Sequence, residues 1–279
     1  MFQEENLNTW DEFERKIRDL EEETSRLKDD PHAIYATTEV LYRGEGKAEW
    51  PQPLSTTLDR NHKRIMTVGQ YFDYIIKNST SSSNISTPEL EILKRKISKL
   101  NIDNIYQFPT TDADTMEIIS LMSELRHNGF PSPLVDWTSD YLVGAFFAFE
   151  KEHNNSRRVA IFAFRNRTGY QANCKKGTNS TAINIGHFIV NPSSRHTRQK
   201  SQYSLCVKQG RGVCFKDAEF VNILEDINRP GFILLKNGEA RDRPVHNVLY
   251  KYTLPVSQRK SILDTLYGKG INRISLGLS

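Results

Sequence analysis

An α+β fold is what the order of hydrophobic patterns in this sequence predicts. The first half carries apolar residues at steps of three and four, the spacing of amphipathic helices, and the second half carries short β-branched and aromatic runs divided by turns. Strands and helices do not alternate regularly, which argues against a doubly wound sheet, and no repeat occurs at solenoid periods. The 279 residues suit one large domain or two small ones, and we read them as a single domain, 1–279.

The first helix is placed over residues 9–27: Trp10, Phe13, Ile17 and Leu20 recur at steps of three and four with charges between them, and Thr9 or Asn8 can cap it. After Asp29-Asp30-Pro31, the stretch Ala33 to Tyr42 reads as a strand that ends at Arg43-Gly44. A helical insertion is expected over about 62–128, with segments near Val68 to Ile76, Pro88 to Leu100 and Asp112 to His127, stopped by Asn128-Gly129. A strand-rich part follows over about 130–255, including Val159 to Phe164, Tyr203 to Val207, Phe232 to Leu235 and Val248 to Leu254. A last helix is expected over 257–267.

Composition narrows the class. Fourteen Phe, eleven Tyr and three Trp supply a core, and no window approaches the roughly 18 to 20 apolar residues that a membrane span requires. The start, MFQEENLNTWDEFERK, is acidic where a secretory signal is basic and then apolar. Cys174, Cys206 and Cys214 are odd in number and have no metal-ligand spacing, so neither a disulfide framework nor a metal site is expected. These features fit a reducing cytoplasm and no membrane partner. The net charge of +4 neither demands nor repels a polyanion.

Two segments can carry chemistry. In Tyr42-Arg43-Gly44-Glu45-Gly46, an arginine at a strand end is followed by glycines that let backbone N–H groups approach a ligand, which suits a phosphate or carboxylate; the alternative is a surface arginine before an ordinary turn. In Pro131 to Ser139 a strand runs into the helix Asp140 to Phe149, capped by Thr138 or Ser139, so that its free N–H groups face an anion. The alternative there is a buried Trp137 in a corner with Asp136 bonded to its own backbone. Ala145, Phe146, Phe147 and Phe149 are core in either case.

The same segments make the chain similar to the FRG domain family, named for its Phe/Tyr-Arg-Gly motif: LYRGEG at 41–46, LSTTLDR at 54–60 and RHNGFPSPLVDWTSDYLVGAFFAF at 126–149. Against the family form QHxGxPTRLLDWTxxxxxALxFA, the residues His127, Gly129, Pro131, Leu134, Asp136, Trp137, Thr138, Phe147 and Ala148 match. Trp10 and Phe13 echo an upstream Trp-x-x-Phe, and Arg198, Gln202 and Cys206 a later Arg…Gln-x-x-x-Phe, so the resemblance covers about residues 9–255. Arg126 stands where Gln is usual, Ser132-Pro133 replace Thr-Arg, Gly144-Ala145 replace Ala-Leu, and Thr56 replaces Pro.

In the order of its motifs the family resembles ADP-ribosyltransferases. The resemblance implies a short-stranded sheet core with N-terminal helices and a helical insertion, and NAD as co-substrate with no metal. It implies that Arg43 grips the dinucleotide, Gly44 the nicotinamide amide, and Thr138 and Ser139 the nicotinamide ribose region, with Asp136 and Trp137 shaping the pocket. Gln202 falls where the usual catalytic glutamate stands; being neutral, it can bond a ribose hydroxyl but supplies no negative charge. Glu45, Asp136, Glu150 and Glu239 are the acids that can. His127 either closes its helix as a cation or orients ligand. Arg195, Arg198 and Lys200, with His196 among them, form a basic run that suits nucleic-acid phosphates or is a solvated loop.

The implied function is transfer of ADP-ribose to a macromolecule, with a DNA or RNA base as the expected acceptor, as suits a toxin or defence effector. The alternatives are a non-catalytic nucleotide or nucleic-acid binding module and an NAD-consuming hydrolase. All require Arg43 and the hydroxyls of Thr138 and Ser139 to face one another across a common hollow. They also treat Arg43 as a ligand group whose truncation leaves the melting temperature nearly unchanged.

Overall fold

The structure is a computed structural model and describes residues 3–28, 37–50, 54, 56–58, 68–79, 87–99, 113–127, 129–153, 155–167, 171–172, 183–188, 201–208, 231–234, 240–243 and 249–278. At its N-terminus, β1 (Gln3–Asn6) precedes α1 (Trp10–Lys28). A capping box opens α1: Thr9 Oγ1 accepts from Glu12 N at 3.2 Å, and Glu12 Oε2 accepts from Asn8 N at 2.7 Å. Phe13, Ile17 and Leu20 are buried along one stripe, as their spacing predicts.

Next come β2 (Thr37–Glu45) and three helices, α2 (Val68–Ser79), α3 (Thr87–Lys99) and α4 (Ala113–His127). The strand runs on to Glu45, one residue past the expected end at Arg43-Gly44, because Glu45 also finds a partner on the neighbouring strand. Gly129 adopts φ +84° just beyond α4, its N–H bonded to Arg126 O at 3.0 Å, which is the left-handed stop expected there.

Then follow β3 (Val135–Thr138), α5 (Tyr141–Phe149), β4 (Arg158–Arg167), β5 (Gln171–Ala172), β6 (Ile183–Phe188) and β7 (Ser201–Lys208). A two-stranded ribbon pairs β8 (Gly231–Leu234) with β9 (Ala240–Arg243). The chain closes with β10 (Leu249–Pro255), a short 3₁₀ turn, Val256–Gln258, and α6 (Arg259–Gly268).

One mixed sheet organises the molecule in the order β1-β10-β4-β2-β3-β7-β6-β5, antiparallel throughout except where β1 lies parallel to β10. With helices α2 to α4 inserted between β2 and β3, the class is α+β. Arg158 ties the edge together: its guanidinium donates to Thr253 Oγ1 at 2.7 Å, to Thr253 O at 3.0 Å and to Leu7 O.

The pleat divides the strands between two faces. Val40, Tyr42, Ile161, Ala163, Tyr250 and Tyr252 point toward α1, α5 and α6 and form one core with Phe13, Ile17, Phe146 and Phe149. Leu41, Phe162 and Phe164 alternate with them and are buried on the other face, where Trp137 packs on Phe164 with ring centroids 5.4 Å apart. Arg165 is fully buried at the rim of the first face, bonded to Thr24 Oγ1 at 3.1 Å, paired with Glu23 and lying 5.5 Å from the Tyr250 ring. Asn237-Gly238 and Glu239 lie outside the described residues.

Candidate functional site

The two conspicuous segments of the sequence meet through a single backbone pair, Tyr42 with Thr138. On its other edge β3 pairs with β7, Trp137 opposite Gln202 and Thr138 opposite Ser201. Arg43, Trp137 and Gln202 therefore fall at one level across three adjacent strands, β2, β3 and β7.

The pleat also corrects one expectation. Thr138 is paired with Tyr42 and so shares its face, whereas Arg43 points the opposite way. The Thr138 hydroxyl is buried and accepts from Asp140 N at 3.1 Å, so it does not face Arg43 across a hollow. The helix cap is also different from the expected one: Asp140 caps α5 by accepting from Leu142 N at 2.9 Å, because β3 continues through Thr138 and the chain turns helical only at Tyr141. Ser139 lies between strand and cap, half-buried.

What Arg43 meets is Asp136. Its Nη1 donates to the Asp136 carbonyl oxygen at 3.1 Å and lies 4.0 Å from Oδ2, while Nε donates to Glu45 Oε1 at 3.3 Å. Nη2 has no partner among the described residues. Glu45 Oε1 also accepts from Leu54 N at 3.0 Å. With side-chain exposures of 13% for Arg43 and 8% for Glu45, this pair is interior rather than solvated. Arg43 is therefore part of the scaffold as well as a candidate ligand group, and these contacts lead us to expect that its truncation lowers the melting temperature rather than leaving it nearly unchanged.

Asp136 is gripped from the other side by a residue that sequence reasoning missed. Arg126, in the last turn of α4, donates Nε to Asp136 Oδ2 at 2.7 Å and places Nη2 on the same oxygen, while Nη1 reaches Thr57 Oγ1 at 3.3 Å. Thr57 in turn accepts from Ser132 N at 2.8 Å, and Tyr71 of α2 donates to Pro131 O at 3.0 Å. The helical insertion is thus fastened to the strand that carries Asp136. The available signal was the departure from the family form, arginine in place of glutamine at 126. Both guanidinium contacts fall on Oδ2, which leaves Asp136 Oδ1 buried without a hydrogen-bond partner among the described residues.

Gly44 has a packing role. A Cβ there would lie 2.0 Å from Gly144 O and 2.4 Å from Ala148 N, so the missing side chain lets β2 press against the backbone of α5. Contact between Gly44 and a ligand is left to its backbone groups. Trp137 is 2% exposed and also belongs to the scaffold. Glu150 is drawn away from the cluster by an ion pair with Arg273. The side chains of His127 and Gln202 and the whole run Arg195, Arg198 and Lys200 lie outside the described residues.

Among the described residues no helix is long and apolar enough to cross a membrane. Neither a curated protein nor a solved structure matches the chain. The family model of the FRG domain matches residues 38–157, which run from β2 through the helical insertion, β3 and α5 to the residue before β4. Arg43, Glu45, Arg126 and Asp136 all fall inside that segment, and this chain carries an FRG domain over residues 38–157.

Proposed function

We propose that the protein is an NAD-dependent ADP-ribosyltransferase whose chemistry centres on Asp136, with a nucleic-acid base as acceptor. The observation that carries this reading is the Asp136 carboxylate: two guanidinium groups flank it, one of its oxygens is orphaned, and it sits one strand from Arg43 and one strand from Gln202. An orphaned buried oxygen favours a hydrogen-bond donor brought by a ligand. A ribose hydroxyl is such a donor.

In this reading the bond between ribose C1′ and the nicotinamide nitrogen breaks, and its electron pair passes to the ring, which leaves neutral. Asp136 Oδ1 accepts from a ribose hydroxyl and stabilises the positive charge that develops on the sugar. The acceptor nitrogen forms the new bond to C1′ and gives up its proton to water. Arg43 Nη2 turns its free N–H groups toward the pyrophosphate. Ser139 and the backbone of Gly44 line the nicotinamide side, Trp137 holds the floor, and Gln202 contacts the acceptor or the ribose. Of the acids weighed from sequence, Asp136 suits this role better than Glu45, whose Oε1 is taken by Leu54 N and Arg43 and whose side chain is far less exposed, and than Glu150, which is paired elsewhere. Such an activity suits a toxin or a defence effector.

A second reading, a non-catalytic module that recognises a nucleotide or nucleic acid, is favoured by one observation: Arg43 is already engaged by Glu45 and Asp136. The two separate in one experiment. Purified protein is incubated with NAD, alone and with DNA, RNA or protein, and free nicotinamide is followed by NMR. Transfer predicts nicotinamide release with a mass increase on an acceptor, and release without that increase indicates hydrolysis of NAD. No release under any condition overturns the proposal.

A further inference from the structure

Immediately beyond Glu45 the chain forms a loop, residues 46–50, that hangs from the strand bearing Arg43. Its position is fixed at two points. Ala48 N donates to Arg158 O at 2.9 Å, and Gly46 lies so close to His153 that a Cβ would fall 2.3 Å from the imidazole. Beside it opens a hollow of about 350 Å³, with His153 and Ser156 on one wall and Ser257, Arg259 and Lys260 on the other.

The charges around this hollow are unbalanced. Two of its acids are ion-paired, Glu152 with Arg259 at 2.9 Å and Glu150 with Arg273, while Glu49 accepts only from the neutral Ser156 Oγ at 2.8 Å and offsets one of the cations that follow. Lys47, Lys151, Arg157 and Lys260 have no carboxylate partner among the described residues. Burial first, and then the ammonium groups of Lys47 and Lys151, push the His153 pKa below the ordinary histidine range, so the ring stays neutral near pH 7 and two positive fields converge on it. An aromatic face completes the surface, for Lys47 Nζ sits 5.8 Å from the centre of the Trp50 ring.

Unpaired cations from three separate segments, one of them over an aromatic ring, suit a chain of phosphates with unstacked bases better than a single phosphate, which needs donors converging on one point. We propose that this surface, Lys47 and Trp50 on the loop with Lys151, Arg157 and Lys260 around the hollow, binds single-stranded nucleic acid. The lysines take the phosphodiester backbone, and Trp50 exchanges its lysine neighbour for a base. The surface uses none of the residues of the basic run 195–200, and its binding does not depend on whether the protein transfers ADP-ribose.

The test is fluorescence anisotropy of the full chain with labelled single-stranded DNA and RNA across a salt series. The triple variant Lys47→Glu, Lys151→Glu, Lys260→Glu is expected to bind at least about tenfold more weakly, and the slope of log affinity against log salt to flatten by roughly 0.7 for each phosphate no longer neutralised. Trp50→Ala is expected to bind about fivefold or more weakly at an unchanged salt slope. Lys260→Gln, a milder change at an exposed position, reports on the hollow if the triple variant folds poorly. Wild-type affinity in the folded variants overturns the proposal. So does binding to phosphatidylserine vesicles but not to oligonucleotides, or full competition by free AMP. Nicotinamide release is read separately, so a failure of this inference and a failure of the transferase reading are told apart.

Discussion

The two sides of strand β2 follow different rules, although their residues alternate along one short segment. Tyr42 and Gly44 face the helices: the tyrosine is fully buried with its hydroxyl on Glu21 at 2.7 Å, and the glycine touches the backbone of α5. Arg43 and Glu45 face the other way, into a cluster of opposite charges that keeps an unpartnered carboxylate oxygen. The first side is closed by shape and tolerates no added atom. The second is closed by charge and retains unused hydrogen-bonding capacity, which is the condition for recognising a ligand. Within the Tyr-Arg-Gly motif, then, Tyr42 and Gly44 pack against the helices, and Arg43 between them belongs to the charged cluster on the opposite side.

Substitutions sharpen this comparison. Trp137→Ala removes a buried ring beneath the charged row and is expected to cost about 3 to 5 kcal/mol in urea unfolding. An effect under about 1 kcal/mol breaks the assignment of that ring to the scaffold. Gly44→Ala forces a Cβ against helix backbone that cannot rotate aside and is expected to cost about 3 kcal/mol. Wild-type stability in this variant means that β2 and α5 do not pack as described.

Arg43→Ala leaves Glu45 and the Asp136 carbonyl short of a donor and is expected to cost about 2 to 3 kcal/mol, with loss of NAD turnover. Because both effects come together, the cleaner probe is Asp136→Asn. It preserves size at a half-exposed position, so the expected loss of stability is about 1 kcal/mol or less, against a fall in nicotinamide release of about a hundredfold. Equal loss of stability and activity in that variant marks Asp136 as structural.

The smallest effects belong to the phenols on the helix side. Burial raises the Tyr42 pKa, with Glu21 adding to it, and burial with Glu14 pushes Tyr141 up to about 12. A phenol whose folded pKa is raised contributes stability that is complete below the ordinary tyrosine value and is lost as pH rises through the folded one. The urea midpoint is therefore expected to fall as pH rises from about 10 toward about 12, and Tyr141→Phe to flatten that fall. Tyr42→Phe costs about 1 kcal/mol at neutral pH through the lost bond to Glu21.

Much of this was legible in residue order. Thr9 offers a cap, Trp10, Phe13, Ile17 and Leu20 give the inward stripe, and Gly129 marks the end of α4. These signals act over one helical turn. Other features were not legible. Gln3–Asn6 has no hydrophobic alternation and becomes a strand only because β10 offers its edge. Thr138, Ser139 and Asp140 are all competent caps, and the length of β3 chooses Asp140. Arg126 reads as an ordinary helix-end cation until the turn at Gly129 brings Asp136 back beneath it.

By itself the sequence determined the helices, their stops, the interleaved order of apolar residues on each strand and the family to which residues 38–157 belong, since each is written in local spacing or in a contiguous motif. Only the tertiary structure decided which side of the sheet Tyr42, Arg43 and Thr138 face, and that Arg43 reaches the Asp136 carbonyl rather than the Thr138 hydroxyl. The physical reason is the pleat: a strand alternates its side chains with a period of two, so one register pair, Tyr42 with Thr138, turns the Thr138 side chain away from Arg43, while the Asp136 carbonyl, a backbone group, stays within its reach. That register is set by contacts between residues far apart in the chain.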